Sequence, residues 1–322
     1  MHNPSQPVER AGQLRAGAMD FIIDSHVHLA TADIPNDWVD TELNSEAQLL
    51  QPHTAITLTR QSKELLEASL TSEINQYNGI DVQQYIFVEC FNGTSATNYM
   101  EEAVWALTKV KDDASLISGY VGHIPVPNGQ QAVDDYMASI PIELFPGLRG
   151  GRVALLGNPM PLPDTCLTAK YDSGLEALEK LGLHWEWCCH PSALVSIAQA
   201  CAKRPNMTFV LDHLGRNGAV EEDMDLWRNG IATLAQQPNV VVKIGGFEEW
   251  GCVDVEPLFD YAVECFGFSR LLFESNWFVS KCCGFTYERV VQTIEQAMKR
   301  NGATENDLKD VFGRNAARVY RL

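Results

Sequence analysis

The sequence predicts a single-domain α/β fold, a (β/α)8 TIM barrel that spans residues 20–322. Eight short apolar runs alternate with longer segments of helical pattern. Each run is continuously apolar, which is typical of parallel strands buried on both faces. The runs are FIID (21–24), QYIFVE (84–89), LISGYVG (116–122), GLRGGRV (147–153), LHWEWCC (183–189), MTFVLD (207–212), NVVVKIGG (239–246) and RLLFES (270–275). Eight strands that alternate with helices favour a closed barrel over an open sheet.

The segments between the runs carry apolar residues at helical spacing. One such stripe consists of Tyr287, Val290, Val291, Ile294 and Met298. Near the end of the chain, Thr304 and Asp307 have the spacing of a capping box that begins the last helix, and Gly313 is expected to end it. Residues 1–19 are polar and have no apolar core, so we expect an extended or disordered tail outside the barrel.

The charge balance restricts the partners. The chain has 42 acidic and 24 basic residues, a formal net charge of −18. Nucleic acids and anionic membranes require a concentrated basic surface, so neither is expected as a partner. A small-molecule substrate is expected instead, because a few local cations suffice to bind it. The sequence leaves open whether the chain forms a homo-oligomer.

The nine cysteines form no C-x-x-C pair, and their number is odd. Two adjacent pairs, 188/189 and 282/283, are too close together to suggest a disulfide framework. Reduced thiols and a cytoplasmic location are therefore expected. No apolar run approaches the roughly 20 residues that a membrane-spanning helix needs.

Two histidines follow the first strand. His26 and His28 are two residues apart, so on an extended segment their side chains point the same way. They lie at the carboxyl end of the strand, which in a barrel is the catalytic end. Two imidazoles on one side can hold a metal ion or orient a water molecule. An isolated H-x-H pair is weak evidence, because packing or coincidence explains it equally well.

Further polar residues follow three other strands. His213 comes directly after the sixth strand, His190 after the fifth, and Asn276 after the eighth. Each could be a core histidine or amide bonded to a backbone carbonyl. Chance is a poor explanation for such residues at four strand ends. The pattern therefore predicts that they converge in one pocket.

These motifs resemble the amidohydrolase-related family. The similarity covers residues 20–322 and includes D-S-H-V-H (24–28), V-L-D-H-L-G (210–215), F-E-S-N-W-F (273–278) and N-A-A-R-V-Y-R-L (315–322). Within the family, the sequence is most similar to the lactonase-like branch, which includes 2-pyrone-4,6-dicarboxylate lactonase and sugar-acid lactonases. The resemblance implies the barrel fold and hydrolysis of a small lactone.

The resemblance also implies roles for individual residues. His26, His28 and His213 match the histidines that act in catalysis or bind a metal if one is present. Asn276 occupies the place of the catalytic aspartate after the eighth strand. The residues expected to contact substrate are Arg149, His190, Glu89 and Trp277.

Asn276 departs from the usual pattern of the superfamily. A neutral amide cannot act as a general base near neutral pH, and it is a poorer ligand for a divalent cation than a carboxylate. A histidine or Glu89 would then collect the proton. Members of this branch work without bound metal, so we expect no obligatory metal, with one divalent ion such as zinc as the alternative.

Two further functions remain open from the sequence. One is a metal-dependent decarboxylase or amide hydrolase of the same superfamily, although the decarboxylases usually rely on the aspartate that Asn276 replaces. The other is a barrel that binds a small molecule without converting it. A lactonase would turn over a lactone, whereas a binding protein would only be stabilised by its ligand.

Overall fold

A computed structural model of the protein describes residues 21–29, 82–90, 98–112, 115–156, 160–216, 223–247 and 255–322. The tail predicted for residues 1–19 lies outside these ranges, so it stays a prediction.

Eight parallel strands form one sheet, in which each strand pairs with the next along the chain. The strands are β1 (Ile22–Val27), β2 (Val82–Val88), β3 (Ile117–Gly122), β4 (Leu148–Arg152), β5 (His184–Trp187), β6 (Phe209–Leu211), β7 (Val240–Ile244) and β8 (Leu271–Phe273). Every one coincides with an apolar run of the sequence. The predicted (β/α)8 barrel is therefore confirmed.

Helices cover the outside of the sheet. Within the described residues they are α1 (Asn98–Val110), α2 (Gln130–Ser139), α3 (Ala169–Lys180), α4 (Leu194–Ala202), α5 (Met224–Ala235), α6 (Glu256–Phe266), α7 (Val279–Cys282), α8 (Tyr287–Arg300), α9 (Glu305–Lys309) and α10 (Asn315–Tyr320). Their apolar faces and the outer faces of the strands form the large core between the two layers.

Contacts between β1 and the residues around β8 close the barrel. The Ser25 hydroxyl donates to the Phe273 carbonyl at 2.6 Å, and the Ser275 N–H donates to the Asp24 carboxylate at 3.0 Å. Beyond β8, Trp277 forms a bridge with Val27, and its carbonyl accepts the His28 N–H. These contacts hold the carboxyl ends of β1 and β8 together, next to the predicted catalytic residues.

A second, smaller apolar cluster lies where side chains of the strands meet α10. Its buried members are Ile23, Ile86, Val88, Val121, Val210, Val241, Leu272, Ala316 and Tyr320. Because side chains alternate along a strand, residues two positions beyond Val210, Val241 and Leu272 face the same side. These residues are charged, and they continue the barrel interior toward its carboxyl end.

The last helical segment begins at the predicted capping box, but it continues past the predicted end. Thr304 and Asp307 form the capping box of α9. Gly313 does not end the helix, because residues 310–314 form a π-helical turn that leads directly into α10. A Cβ on Gly313 would lie 2.8 Å from the Phe21 ring, so this position is a close approach within the helix rather than a cap.

The structure describes seven cysteines with free thiols, which are Cys90, Cys166, Cys188, Cys189, Cys201, Cys265 and Cys283. In the described ranges, every helix is too short or too polar to cross a lipid bilayer.

A buried carboxyl joins α1 to the sheet. Glu102 accepts a hydrogen bond from the Tyr120 hydroxyl at 2.8 Å and one from the Cys90 N–H at 3.3 Å. Burial, and then the charge of Glu89, raise the pKa of Glu102 from 4.5 to about 8. Between these values the folded chain keeps a proton that the unfolded chain releases, so stability falls as the pH rises through this window.

Glu102→Gln removes this titration. We expect the free energy of unfolding of the variant to rise relative to wild type by about 1 kcal/mol or more between pH 5 and 8. Urea denaturation at each pH measures the difference. A constant offset between the two proteins would reflect only the altered hydrogen bonds to Tyr120 and Cys90. If the offset does not change with pH, the raised pKa of Glu102 is refuted.

Candidate active site

The two histidines of β1 contact each other. The Nε2 atoms of His26 and His28 are 3.0 Å apart, and His28 Nδ1 lies 3.0 Å from the Val88 carbonyl. A carbonyl only accepts, so His28 Nδ1 carries the proton and its Nε2 accepts from His26. Burial, and then the neighbouring His26 and Arg152, lower the pKa of His28 well below its ordinary value. His28 is therefore neutral.

His213 pairs with a carboxylate. Its Nδ1 lies 2.9 Å from Glu274 Oε1, and its backbone N–H donates to the same oxygen at 3.2 Å. Its ring centroid is 4.5 Å from that of His26. Burial alone would raise the pKa of Glu274, but His213 and His26 lower it to about 2. An ionised Glu274 therefore holds the Nδ1–H of His213 and leaves Nε2 as the basic nitrogen of the ring.

The backbone around His213 is unusual. His213 and Leu214 have φ angles of 50° and 54°, in the left-handed region. This turn directs the His213 ring toward Gly246, where a Cβ would clash with the ring. The glycine after β7 is thus required for the position of the histidine after β6.

Arg152, the last residue of β4, lies beside the histidines. Its Nη1 is 3.3 Å from His26 Nε2 and 3.2 Å from Asp212 Oδ2. Its Nε and Nη2 donate to the Glu89 carboxylate and carbonyl at 2.9 and 2.7 Å. Burial opposes the charge of Arg152, but Glu89 and Asp212 raise its pKa well above the ordinary value. The guanidinium is a fixed positive charge at the centre of the site.

Lys243 is a second buried cation, on the other side of the His26 ring. Its Nζ is 3.2 Å from His26 Nδ1, 2.5 Å from Glu186 Oε2 and 3.0 Å from Asp212 Oδ1. Glu274 Oε2 also lies 3.1 Å from His26 Nδ1. That nitrogen therefore either accepts from the ammonium or donates to the carboxylate.

Several of the predicted site residues lie close together in the structure, and Trp277 is held beside them by its backbone. His26, His28 and His213 converge, and Glu89 joins them through Arg152. Trp277 is buried and pairs with β1 through its backbone.

Asn276 is buried directly after β8. Its φ is 51°, and its carbonyl accepts the Ser280 N–H at 3.0 Å. The carboxylate that this strand end brings to the histidines is Glu274, two residues earlier. The catalytic role of Asn276 stays a prediction.

Arg149 and His190 are engaged elsewhere. Arg149 is the extra residue of an irregularity in the β3–β4 pairing, and its Nη2 donates to the Ser118 carbonyl at 3.2 Å. The His190 ring lies 3.1 Å from the Ser192 hydroxyl and 3.2 Å from the Asp223 carboxylate. Neither contact places the residue at the histidine cluster, so the basic residue of β4 at the site is Arg152 rather than Arg149.

The sequence reasoning overlooked most of the charged residues of the site. They are Arg152, Glu186, Asp212, Lys243 and Glu274. The sequence carried one signal for them. Side chains alternate along a strand, so each of these residues faces the interior together with the residue two positions before it.

The least buried edge of this cluster is at His123. Its side chain is 26% exposed, its Nδ1 lies 3.6 Å from Glu89 Oε2, and its ring stacks on Tyr99. By contrast, a cavity of about 160 Å³ lies at the opposite, amino-terminal end of the strands, lined by His184, Arg318 and Arg321 among others. We take the chemistry to belong to the histidine end, because the convergent titratable groups are there.

Among the residues that the structure describes, two sets are close enough to hold a metal ion. His26, His213 and Glu274 form one, and His26, Glu186 and Asp212 form the other; within each set the ligand atoms lie within 4.8 Å of one another. Two imidazoles and one glutamate are the ligands of several catalytic zinc sites, so the first set fits a divalent ion. It contains Glu274 where the sequence predicted His28.

Comparison with known proteins gives the family. A family model described as amidohydrolase matches residues 23–322. An L-fucono-1,5-lactonase of Burkholderia ambifaria is 25% identical over 250 residues, which cover 75% of this chain and 81% of that protein. An L-fucono-1,5-lactonase of Burkholderia multivorans is 31% identical over 145 residues, 40% of this chain and 48% of that protein.

The fold recurs in solved structures. An amidohydrolase of Burkholderia multivorans, crystallised with bound zinc, superimposes with a TM-score of 0.73 and 22% identity over 94% of this chain and 99% of that chain. The chain therefore belongs to the amidohydrolase family, as the residues at its strand ends predict, and its similarity to named lactonases supports the lactonase-like branch.

Proposed function

We propose that the protein hydrolyses a small lactone of the sugar-acid or dicarboxylate type. The observation that carries this proposal is the His213–Glu274 pair beside His26 and the Arg152 guanidinium. A base and a fixed positive charge are the two groups that attack of water on an ester carbonyl requires. The names of the Burkholderia lactonases support the choice of substrate class.

Arg152 is the group that we assign to the carbonyl oxygen. When water adds to the carbonyl carbon, negative charge develops on that oxygen. A buried guanidinium stabilises this charge more strongly than water does, because it is already oriented and little solvent screens it. Glu89 and Asp212 hold the guanidinium in place at 2.9 and 3.2 Å.

His213 is the proposed base. Its Nδ1 lies 2.9 Å from Glu274, so Nε2 takes a proton from the attacking water. When the ring C–O bond of the tetrahedral intermediate breaks, the imidazolium returns this proton to the departing alkoxide. The product is the open hydroxy acid, and the atoms of one water molecule are accounted for. Glu274 acts as a positioning residue that also stabilises the imidazolium.

A metal is not obligatory in this proposal. If one binds, His26, His213 and Glu274 would hold it, and it would polarise the carbonyl and acidify its bound water. The protein residues named above retain their binding and orienting roles without it.

The first test is a panel of aldonic, uronic and dicarboxylic lactones assayed with and without chelator. We expect turnover of at least one lactone and little change on chelation, because Arg152 supplies the charge that a metal would supply. Metal content of the purified protein is measured in parallel. If the chain only gains thermal stability from lactones, it is a binding protein. If stripping a bound ion abolishes turnover reversibly, hydrolysis depends on the metal.

Glu274→Gln tests the base. The amide oxygen can still accept from His213 Nδ1–H, so the geometry is kept while the negative charge is lost. We expect kcat to fall about 100-fold or more with little change in KM. Asp223→Asn is the matched control, since Asp223 pairs with His190 at 3.2 Å outside the cluster. An equal loss in both variants, or a loss confined to KM, would exclude the proposed role of Glu274.

Arg152→Met tests the cation. We expect kcat/KM to fall about 100-fold to 1,000-fold, because removal of one oxyanion donor has effects of this size. Arg152→Lys should recover part of the loss, since it keeps the charge but not the fork that binds Glu89. Arg149→Met, three residues earlier on the same strand, is the control and should retain activity. The proposal fails if Arg149→Met is the more damaging substitution.

A further inference from the structure

The second potential metal site already contains a cation. Lys243 Nζ lies within 3.2 Å of one ligand atom from each of His26, Glu186 and Asp212, the same three residues that could hold an ion. An ammonium group has three N–H donors, and here it faces two carboxylate oxygens and the Nδ1 atom of His26. All four side chains are fully buried.

The surrounding residues hold this cage in place. The Tyr320 hydroxyl donates to Glu186 Oε1 at 2.7 Å, and His184 Nε2 lies 3.1 Å from the same oxygen. Arg152 binds the other oxygen of Asp212 at 3.2 Å. The two carboxylates, one on β5 and one directly after β6, are therefore held toward Lys243 by side chains of β4, β5 and α10.

A divalent ion cannot share the cage with this ammonium. Metal–ligand distances for zinc are about 2.0–2.2 Å with nitrogen and oxygen ligands, so a metal would occupy the space where Nζ now lies. Its charge would also meet that of Lys243 at very short range. With the side chain withdrawn, two carboxylates and one imidazole would remain, a donor set that suits a divalent metal.

We propose that Lys243 is a built-in substitute for a metal ion: its ammonium fills the His26–Glu186–Asp212 site and limits the protein to at most one divalent ion per chain. Lys243 is thus a positioning residue, because it fixes His26 and Asp212, which in turn contact Arg152. The role is independent of the identity of the substrate.

The test is metal stoichiometry. Wild type, Lys243→Met and the double variant Lys243→Met/Glu186→Gln are stripped with chelator, titrated with zinc and with cadmium in a calorimeter, and analysed for bound metal after gel filtration. Lys203→Met, in which an exposed lysine is replaced, is the matched control. We expect Lys243→Met to bind one equivalent more than wild type, and the double variant and Lys203→Met to bind as many as wild type.

Thermal melting covers the case in which Lys243→Met is unstable. In Lys243→Met, Glu186 loses its ammonium partner and Asp212 keeps only Arg152, so the variant should be destabilised, and zinc should restore its melting temperature much more than it changes that of wild type. Folding of the variant only with metal therefore supports the proposal. The proposal is overturned if wild type binds two ions, if Lys243→Met binds no additional equivalent, or if this variant fails to fold even with metal. None of these readouts uses lactone turnover, so each is separate from the test of the proposed function.

Discussion

The pairing of buried charges around His26 determines the positions of the other residues in the site. Charges that leave water must find partners, because an unpaired buried charge is strongly destabilising. Here Arg152 and Lys243 lie on the two sides of one imidazole, and Asp212 contacts both cations, at 3.2 and 3.0 Å. Each side chain thus has few alternative positions, and the orientation of His26 follows from charges on β4, β6 and β7.

The strand ends need special backbone geometry to direct residues into this network. His213 and Asn276, which lie two and three residues beyond the ends of β6 and β8, both have positive φ angles. Residues other than glycine rarely adopt this conformation, and it costs on the order of 1 kcal/mol or more unless the surroundings impose it. Such outliers concentrate at functional sites. Together with the glycine at position 246, they indicate that the structure tolerates local strain here to place the His213 ring.

The sequence was sufficient for the fold and for the close approach of His26, His28 and His213, and insufficient for the contacts of His190 and for the charges. Continuous apolar runs predicted all eight strands, because burial on both faces leaves that pattern. The family resemblance pointed to Arg149, but an irregularity in pairing at residue 149 makes Arg152 the basic side chain of β4 that lies beside the histidines, and one sequence does not reveal this register. Lys243 and Glu186 look like isolated polar residues within strands, and only tertiary pairing shows that they meet.

The same coupling determines how the site responds to substitution. Asp212 is shared by Lys243 and Arg152, and His26 by both cations and Glu274, so removal of one member leaves another charge without its partner. Effects of single substitutions will then exceed the contribution of the lost contact, and paired substitutions that remove opposite charges together will not be additive. A cation that belongs to the chain also differs from a bound metal in one respect: it cannot dissociate. The site keeps its positive charge at any metal concentration, as the proposed metal-independent hydrolysis requires.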